Sequence, residues 1–289
     1  MLLKNYLAFG LPISLALIMF NMGLLLRLAD FQLVVNQPRA FITGLTAQML
    51  VVPLIALLLL QIFTLSPEFA IGLLILSFSP GGVTSNLFSH LARGDIALSV
   101  SLTATASVIT PFTIPLLCEL TLQVYQFGYQ KIDLAVGLTI MRLLMITLLP
   151  ILAGMLWCHL SSVSAAKIQP WIQRLSLLIF LSVIAGIVNQ HWNTMPYFLS
   201  QVGDVTIVMI TATMMSGYLL AKTFRLDQYQ TRSISIEVGI QNAGMALVVS
   251  QTMLQNANMS IIPIIYGLLM LVPVLIFTLI SRRETVAAN

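Results

Sequence analysis

Three hydrogen-bonding side chains follow a proline and two glycines in the stretch SPGGVTSN, residues 79–86. Proline removes a backbone donor and clashes with the preceding turn, and glycine relaxes the backbone, so a helix is expected to break here. The freed amide and carbonyl groups are unstable in an apolar environment unless other groups use them. Helix amino ends favour anions and free carbonyls favour cations, so the stretch predicts a binding site. Its side chains would be Thr84, Ser85 and Asn86.

A second stretch, IEVGIQNAG at residues 236–244, places an acid beside loose backbone. The acid is Glu237, and the amides Gln241 and Asn242 follow it between two glycines. A carboxylate at the centre of a membrane helix costs about 2.5 kcal/mol or more, so we expect Glu237 to face the protein interior with a partner. The two stretches together predict two interrupted helices that supply polar groups to one site.

Further neutral oxygens could join Glu237. Ser99 and Thr103 are four residues apart and therefore share one face of a helix, and Gln48 lies in the middle of an apolar run. Neutral oxygens with a single carboxylate suit sodium, whereas calcium recruits more carboxylates and zinc prefers His or Cys. Each residue alone has an ordinary explanation, such as a hydroxyl bonded to its own helix or a proline kink. The sodium hypothesis rests on their convergence.

The composition places these residues in a membrane. The chain of 289 residues is 58% hydrophobic and only 8% charged, whereas soluble domains carry about 25% charged residues. The mean hydropathy is +0.99. Continuous apolar runs of about 20 residues predict helices rather than the alternating strands of a barrel. The net charge of +4 comes from short loops, which indicates topology signals rather than nucleic-acid binding. Cys118 and Cys158 lack the spacing of a disulfide framework or a transition-metal site.

Apolar runs bounded by charge, proline and glycine predict an all-α integral membrane protein with nine transmembrane helices. The third and eighth runs contain the two interruptions, near 80–82 and 238–244. The second interrupted run comes five runs after the first, so the two enter the membrane from opposite sides, as in an inverted repeat that lacks its first helix. The polar segment 161–171 is expected at the surface, before a helix that starts at 173. The runs are about 6–28, 39–63, 67–92, 96–125, 133–159, 173–190, 201–222, 229–254 and 260–281.

Basic residues fix the predicted orientation. Of the 13 Lys and Arg residues, Lys4 and Lys131 fall on one side of the membrane and Arg142 falls inside the fifth run. The others all fall on the opposite side, and because cytoplasmic loops are rich in Lys and Arg, the amino terminus is predicted outside and the carboxyl terminus in the cytoplasm. These are Arg27, Arg39, Arg93, Lys167, Arg174, Lys222, Arg225, Arg232, Arg282 and Arg283.

Four stretches resemble, in order and spacing, the signatures of the bile acid:sodium symporter family. They are MFNMGLLLRLADF, GLTAQMLVVP, SPGGVTSNLFSHLARGDIALSVSLTATASVITPFTIP and IEVGIQNAGMA. The resemblance implies ten spans in two inverted five-helix repeats, or nine when the first helix is absent, with the third and eighth broken and crossing. It implies that residues 1–289 form one transporter unit, in which a core domain at about 39–125 and 201–281 moves against a panel domain at about 6–28 and 133–190.

The resemblance also implies two sodium sites that share Glu237. The first would use Ser85, Asn86, Ser99, Thr103 and Glu237, and the second Gln48, Glu237, Gln241 and the backbone carbonyls of Val238 and Ile240. Substrate would contact Thr84, Asn86 and Asn242. One departure concerns the last span, IYGLLMLVPVLIFTLI, which lacks polar residues that some relatives place there.

The expected function is sodium-coupled symport of a small organic anion by alternating access, with a pantoate-like carboxylate or a bile-acid-like molecule as substrate. Proton-coupled or uncoupled transport, or export of an anion, on the same scaffold is the alternative. We expect a multi-pass monomer of the bacterial inner membrane, with two sodium ions and no organic cofactor or nucleic-acid partner. Enzyme activity is not expected, because DDxxD and HExxH are absent from the sequence, and ATP-driven pumping is not expected, because the GxxxxGK[ST] phosphate loop is absent.

Overall fold

A computed structural model describes residues 2–27, 30, 36–125 and 134–287. Throughout this part of the chain the regular elements are helices, and the one β-type contact is an isolated antiparallel bridge between Pro80 and Gln241. The predicted end of the first run at residue 28, the predicted start of the fifth at 133, and Lys131 lie outside the described residues.

The helices follow one another with short connections. Three of them contain a π-helical turn, at Ala47–Val51, Leu144–Leu148 and Val248–Met253, and a 3₁₀ turn at Asn258–Ser260 precedes α11. In chain order they are α1 (Leu2–Leu25), α2 (Pro38–Ile62), α3 (Pro67–Ser77), α4 (Val83–Leu91), α5 (Ile96–Tyr125), α6 (Val136–Leu160), α7 (Ser162–Gln190), α8 (Met195–Thr223), α9 (Gln228–Gly239), α10 (Ala243–Met253), α11 (Ile261–Leu269) and α12 (Leu271–Ala287).

Six helical segments within the described residues are long and apolar enough to cross a membrane. Five of them are α2, α5, α6, α7 and α8, and the sixth runs from Asn258 to Arg282 through α11 into α12. Shorter apolar helices lie at Phe9–Leu25 in α1, in α3 and in α10. The all-helical membrane class predicted from composition is therefore confirmed.

Helix α7 starts at Ser162, eleven residues before the predicted start at 173. The hydroxyl of Ser161 accepts a hydrogen bond from the backbone N–H of Ser164 at 3.4 Å and caps the new start. Lys167 is exposed, and the segment predicted to lie at the surface forms the first part of this helix. Polar side chains and Pro170 made the segment look non-helical, but they lie on an exposed turn that the helix tolerates.

Helices α1, α6 and α7 pack against one another. A Cβ atom added to Gly154 of α6 would lie 2.4 Å from the carbonyl oxygen of Phe20, and one added to Gly23 of α1 would lie 2.1 Å from that of Ile151. The two glycines therefore allow the backbones to touch, as small residues do between membrane helices. Between α1 and α7, the side chain of Gln169 donates to Asn21 Oδ1 at 3.1 Å.

Helix α9 lies at the centre of a second group formed with α2, α4, α5 and α8. Every residue from Thr231 to Gly239 is buried. Gly217 lets α8 approach, because a Cβ there would already be 3.0 Å from the carbonyl oxygen of Ile234. Since α9 is enclosed, its polar groups must find partners inside the protein.

The turn between α4 and α5 is tied to the start of α9. The backbone N–H of Asp95 donates to the carbonyl of Tyr229 at 3.1 Å, and Ser233 Oγ donates to the carbonyl of Asp95 at 2.9 Å. Gly94 has no room for a Cβ, which would lie 2.4 Å from Ser233 Oγ. These contacts fix where α5 and α9 begin, and so set the relative height of the residues further along both helices.

Candidate functional site

The first interruption lies between α3 and α4. Helix α3 ends at Ser77 and α4 begins at Val83, so residues 78–82 are not helical. Gly82 precedes α4 in an extended conformation, and no side chain caps the amino end of that helix. The backbone N–H of Ser85 donates to the carbonyl of Gly82 at 3.1 Å, which leaves the N–H groups of Val83 and Thr84 available to a ligand.

The second interruption lies between α9 and α10, and it meets the first. Helix α9 ends at Gly239, and α10 begins after Asn242, whose Oδ1 accepts from the backbone N–H of Met245 at 3.0 Å. The backbone N–H of Asn242 donates to the carbonyl of Ser79 at 2.8 Å, beside the bridge between Pro80 and Gln241. The amino ends of α4 and α10 and the carboxyl end of α9 therefore gather at one place.

The last four carbonyls of α9 each accept a hydrogen bond, although only one of them keeps a backbone partner. The other three depend on side chains, two of them amides and one a phenol. The donors are Ile240 N to Ile236 O at 2.9 Å, Gln48 Nε2 to Glu237 O at 3.2 Å, Gln241 Nε2 to Val238 O at 2.9 Å, and Tyr266 Oη to Gly239 O at 2.8 Å.

Glu237 is fully buried and its carboxylate accepts hydrogen bonds from two hydroxyls. Ser99 Oγ donates to Oε2 at 2.7 Å, and Thr103 Oγ1 donates to Oε1. Among the described residues no Lys, Arg or His forms an ion pair with this carboxylate. A buried carboxylate that lacks a counter-charge is strongly destabilised when ionised, and either a proton or a bound cation would neutralise it.

Several oxygens surround the carboxylate of Glu237. Asn86 Oδ1 lies 2.8 Å from Ser99 Oγ and 3.4 Å from Thr103 Oγ1. The hydroxyl of Ser85 lies 3.5 Å from Thr103 Oγ1, but it donates its own hydrogen to the carbonyl of Gly82 at 2.6 Å. The hydroxyls of Ser99 and Thr103 share two hydrogens among three acceptors, the two carboxylate oxygens and the amide oxygen, and the Gln48 amide also donates towards the carboxylate. Oxygens of this kind could bind a cation.

The amide oxygens of Gln48 and Gln241 are buried without a hydrogen-bond partner in the described part of the chain. The Nε2 atom of each faces a backbone carbonyl, which fixes the orientation of the amide because only the NH₂ group can donate there. Both Oε1 atoms are therefore turned away from those carbonyls, and buried acceptors in this state are rare without a ligand. Gln48 lies in the π-helical turn of α2, a distortion often found at functional sites.

The three predicted substrate contacts differ in exposure. Thr84 is exposed, whereas Asn86 and Asn242 are partly buried. A Cβ on Gly82 would lie 3.8 Å from Asn242 Nδ2, so the start of α4 and the side chain that caps α10 are neighbours. All three side chains are neutral, so an anion here would be held by N–H and O–H donors.

Every residue of the two predicted sodium sets lies at this junction. Ile240 lies there between the end of α9 and the bridge between Pro80 and Gln241. The residue that the sequence reasoning missed is Tyr266, which bonds to the end of α9. It is the one side chain with a hydroxyl in α11, and a lone tyrosine in a buried apolar run was the signal that could have found it.

Comparisons with known proteins point to one family. The family model described as "Sodium Bile acid symporter family" matches residues 12–197. The chain is 30% identical over 235 residues to the uncharacterized sodium-dependent transporter YocS of Bacillus subtilis (strain 168). The matched region covers 81% of this chain and 71% of that protein.

Two longer relatives have names that specify a transported substance. The chain is 29% identical over 239 residues to the probable sodium/metabolite cotransporter BASS1, chloroplastic, of Arabidopsis thaliana, covering 82% of this chain and 58% of that protein. It is 31% identical over 243 residues to the hepatic sodium/bile acid cotransporter of Rattus norvegicus, covering 80% of this chain and 64% of that protein. The match therefore spans less than two thirds of these two relatives.

Proposed function

The chain belongs to the sodium bile acid symporter family, and on that premise we propose that it carries a small organic anion across the membrane together with sodium ions. The family consists of transporters. Because the chain belongs to this family and has six long apolar helices, it is a multi-pass membrane protein. The coupling ion, the substrate and the residues that bind them are the content of the proposal.

The observation that carries the proposal is the buried carboxylate of Glu237. It has no counter-charge among the described residues, and Asn86, Ser99 and Thr103 place further oxygen lone pairs beside it. A monovalent cation bound by oxygen would neutralise the carboxylate and use those lone pairs, as a hydrophobic environment demands. The proposed first sodium site consists of Ser85, Asn86, Ser99, Thr103 and Glu237.

A second sodium ion is proposed beside the end of α9. Its ligands would be the unpartnered amide oxygens of Gln48 and Gln241, the carboxylate of Glu237, and the backbone carbonyls of Val238 and Ile240. The Val238 carbonyl accepts one hydrogen bond from Gln241, and its second lone pair can still face an ion. Two sodium ions around one carboxylate leave one net positive charge, which favours an anion nearby.

The substrate is proposed to be a small carboxylate that contacts Thr84, Asn86 and Asn242. The uncapped amino end of α4 supports this assignment, because free N–H groups and the helix dipole stabilise an anion. Asn86 belongs to both the first sodium set and the substrate set. A sodium ion that fixes its amide would therefore raise the affinity for substrate, and the substrate would raise the affinity for sodium to the same degree.

The proposed architecture has nine spans. The six long helical segments, α1, and the interrupted pairs α3–α4 and α9–α10 support that number. We propose a panel domain of α1, α6 and α7, which pack on one another, and a core domain of the other helices that moves against it in alternating access. A monomer in the bacterial inner membrane, with the amino terminus outside and the carboxyl terminus in the cytoplasm, completes the proposal.

A thermal-shift screen of small carboxylates tests the proposed substrate class. A ligand stabilises the folded state by RT ln(1 + [L]/Kd), so a transported carboxylate is expected to raise the melting temperature, and to raise it more in sodium than in potassium. Candidates that pass are then tested for uptake into proteoliposomes under a sodium gradient. Uptake that ignores sodium but follows a pH gradient would favour the proton-coupled alternative, and uptake that follows neither would favour uncoupled transport.

A further inference from the structure

Tyr266 lies in the interior of α11 with no exposed surface. Its Oη donates to the carbonyl of Gly239, the last residue of α9, at 2.8 Å. Without this phenol the carbonyl would lose the donor that serves it, because the chain leaves the helix at this point and continues into the interruption. The contact joins α11 to the junction of the two interrupted helices.

The conformation of Ile240 links the orientation of the Gly239 carbonyl to the proposed second sodium site. Ile240 is extended, with φ −99° and ψ 119°. In an extended chain consecutive carbonyls point to opposite sides, so a Gly239 carbonyl turned towards α11 turns the Ile240 carbonyl away from it. Because Pro80 has no N–H, its antiparallel bridge with Gln241 is formed by the flanking residues: Asn242 N–H donates to the carbonyl of Ser79, and the carbonyl of Ile240 faces Gly81. The carbonyl of Ile240 is thereby aimed at the first interruption.

The backbone at Gly239 is also held from α8. A Cβ on Gly239 would lie 2.0 Å from Cγ of Met214, so that side chain packs directly against the Gly239 backbone. This packing and the hydrogen bond from Tyr266 both restrict the Gly239 peptide, and of the two only the hydrogen bond sets the direction of its carbonyl.

We propose that Tyr266 is a positioning residue for sodium binding: it fixes the Gly239 carbonyl, and so directs the Ile240 carbonyl towards the ion. The phenol does not touch the ion or the substrate. This inference rests on the proposed function, because Tyr266 can position a sodium ligand only if sodium binds beside the end of α9.

The test compares Tyr266→Phe with the parent protein in a sodium titration of thermal stability, with potassium chloride keeping the ionic strength constant. Loss of one hydrogen bond that orients a ligand is expected to raise the sodium concentration for half-maximal stabilisation about three- to tenfold. The melting temperature in potassium alone measures any general loss of stability. If the variant is too unstable in detergent, the sodium dependence of uptake in membrane vesicles gives the same ratio.

Ser260→Ala is the matched control. It also removes a buried hydroxyl close to α11, one that lies 2.8 Å from Ser250 Oγ, and the other hydrogen bonds described for this pair go to α10 and to Asn256 rather than to α9. We expect it to lower the melting temperature without changing the sodium half-saturation. Equal half-saturation in the parent and Tyr266→Phe would overturn the inference while leaving the proposed function intact. A parent that sodium does not stabilise more than potassium would contradict the proposed function itself, and the role of Tyr266 with it.

Discussion

Gly81 lies directly against the carboxylate of Glu237. A Cβ atom at residue 81 would be 2.7 Å from Glu237 Oε1 and 3.2 Å from Gln48 Nε2. Because Gly81 has no side chain, the backbone of the first interruption can reach Glu237, which lies just before the second interruption. This close approach is what makes one polar cluster out of two distant parts of the chain.

Gly81→Ala is expected to weaken sodium binding. The added methyl group must displace the carboxylate or the backbone by several tenths of an ångström, and overpacking of this kind costs about 1–3 kcal/mol. We expect the sodium half-saturation of uptake to rise at least about fivefold. Gly203→Ala, where a Cβ meets nothing within 4 Å, is the control and should behave as the parent. Unchanged sodium dependence in Gly81→Ala would contradict the proposed position of the ion.

Thr103→Val tests the hydroxyl that donates to Glu237 Oε1. Valine keeps the shape of threonine but removes the oxygen, so a ligand and a hydrogen-bond donor are lost together. We expect sodium affinity to fall about tenfold, as for one hydrogen bond to a charged group. Direct sodium binding to purified protein measures it.

Thr110→Val is the control for that experiment. Thr110 is seven residues further along the same face of α5, it is buried, and its hydroxyl lacks a partner among the described residues. Because nothing is lost when such a hydroxyl is replaced by a methyl group, sodium affinity and stability should stay at the parent level or rise slightly. A similar loss of sodium affinity in both variants would mean that apolar substitution of α5, rather than the Thr103 oxygen, is responsible.

Gln48→Met tests whether there are two sodium ions. The variant removes an unpartnered amide oxygen and a donor to the Glu237 carbonyl, with little change in volume. Because the Hill coefficient is bounded by the number of sites, we expect sodium activation of uptake to fall from a Hill coefficient of about two towards one. Gln61→Met makes the same change at an exposed position of α2 and should leave the coefficient unaltered. A Hill coefficient and a sodium half-saturation that are both unchanged in Gln48→Met would contradict a second coupled ion bound by Gln48.

Gly154→Ala tests the contact between α1 and α6 separately from the ion site. Its Cβ would lie 2.4 Å from the carbonyl of Phe20 and 2.8 Å from the backbone nitrogen of Leu24, so the helices must separate. We expect a destabilisation of about 1–3 kcal/mol, seen as a lower melting temperature, and an unchanged sodium half-saturation. Gly137→Ala, which has open space on the same helix, should not lower the melting temperature. A shifted sodium half-saturation would show that this contact reaches the ion site.

The sequence predicts the parts of the fold that depend on local physics. Apolar runs predicted a helical membrane protein, and the four-residue spacing of Ser99 and Thr103 predicted that their hydroxyls share a helix face. Both hydroxyls do donate to Glu237. The start of α7 at Ser162 could not be predicted in this way, because the polar residues of segment 161–171 do not form an apolar run.

Contacts between distant helices lay beyond sequence reasoning. The orientation of the Gln48 amide depends on a carbonyl 189 positions away in the chain, and Tyr266 reaches Gly239 from a helix with no other hydroxyl. Neither contact has a signature in spacing or periodicity, because each is set by how two helices pack. The identity of the ligands is likewise decided by packing, and their assignment stays a prediction.

Equilibrium binding of radioactive sodium to the purified protein is the most direct test of the central claim that Glu237 holds sodium. Glu237→Gln keeps the size of the side chain and removes its charge. The account predicts saturable sodium binding by the parent that potassium does not displace, and loss of that binding in Glu237→Gln while the protein remains folded. Sodium binding of equal affinity and amount in the two proteins would contradict it.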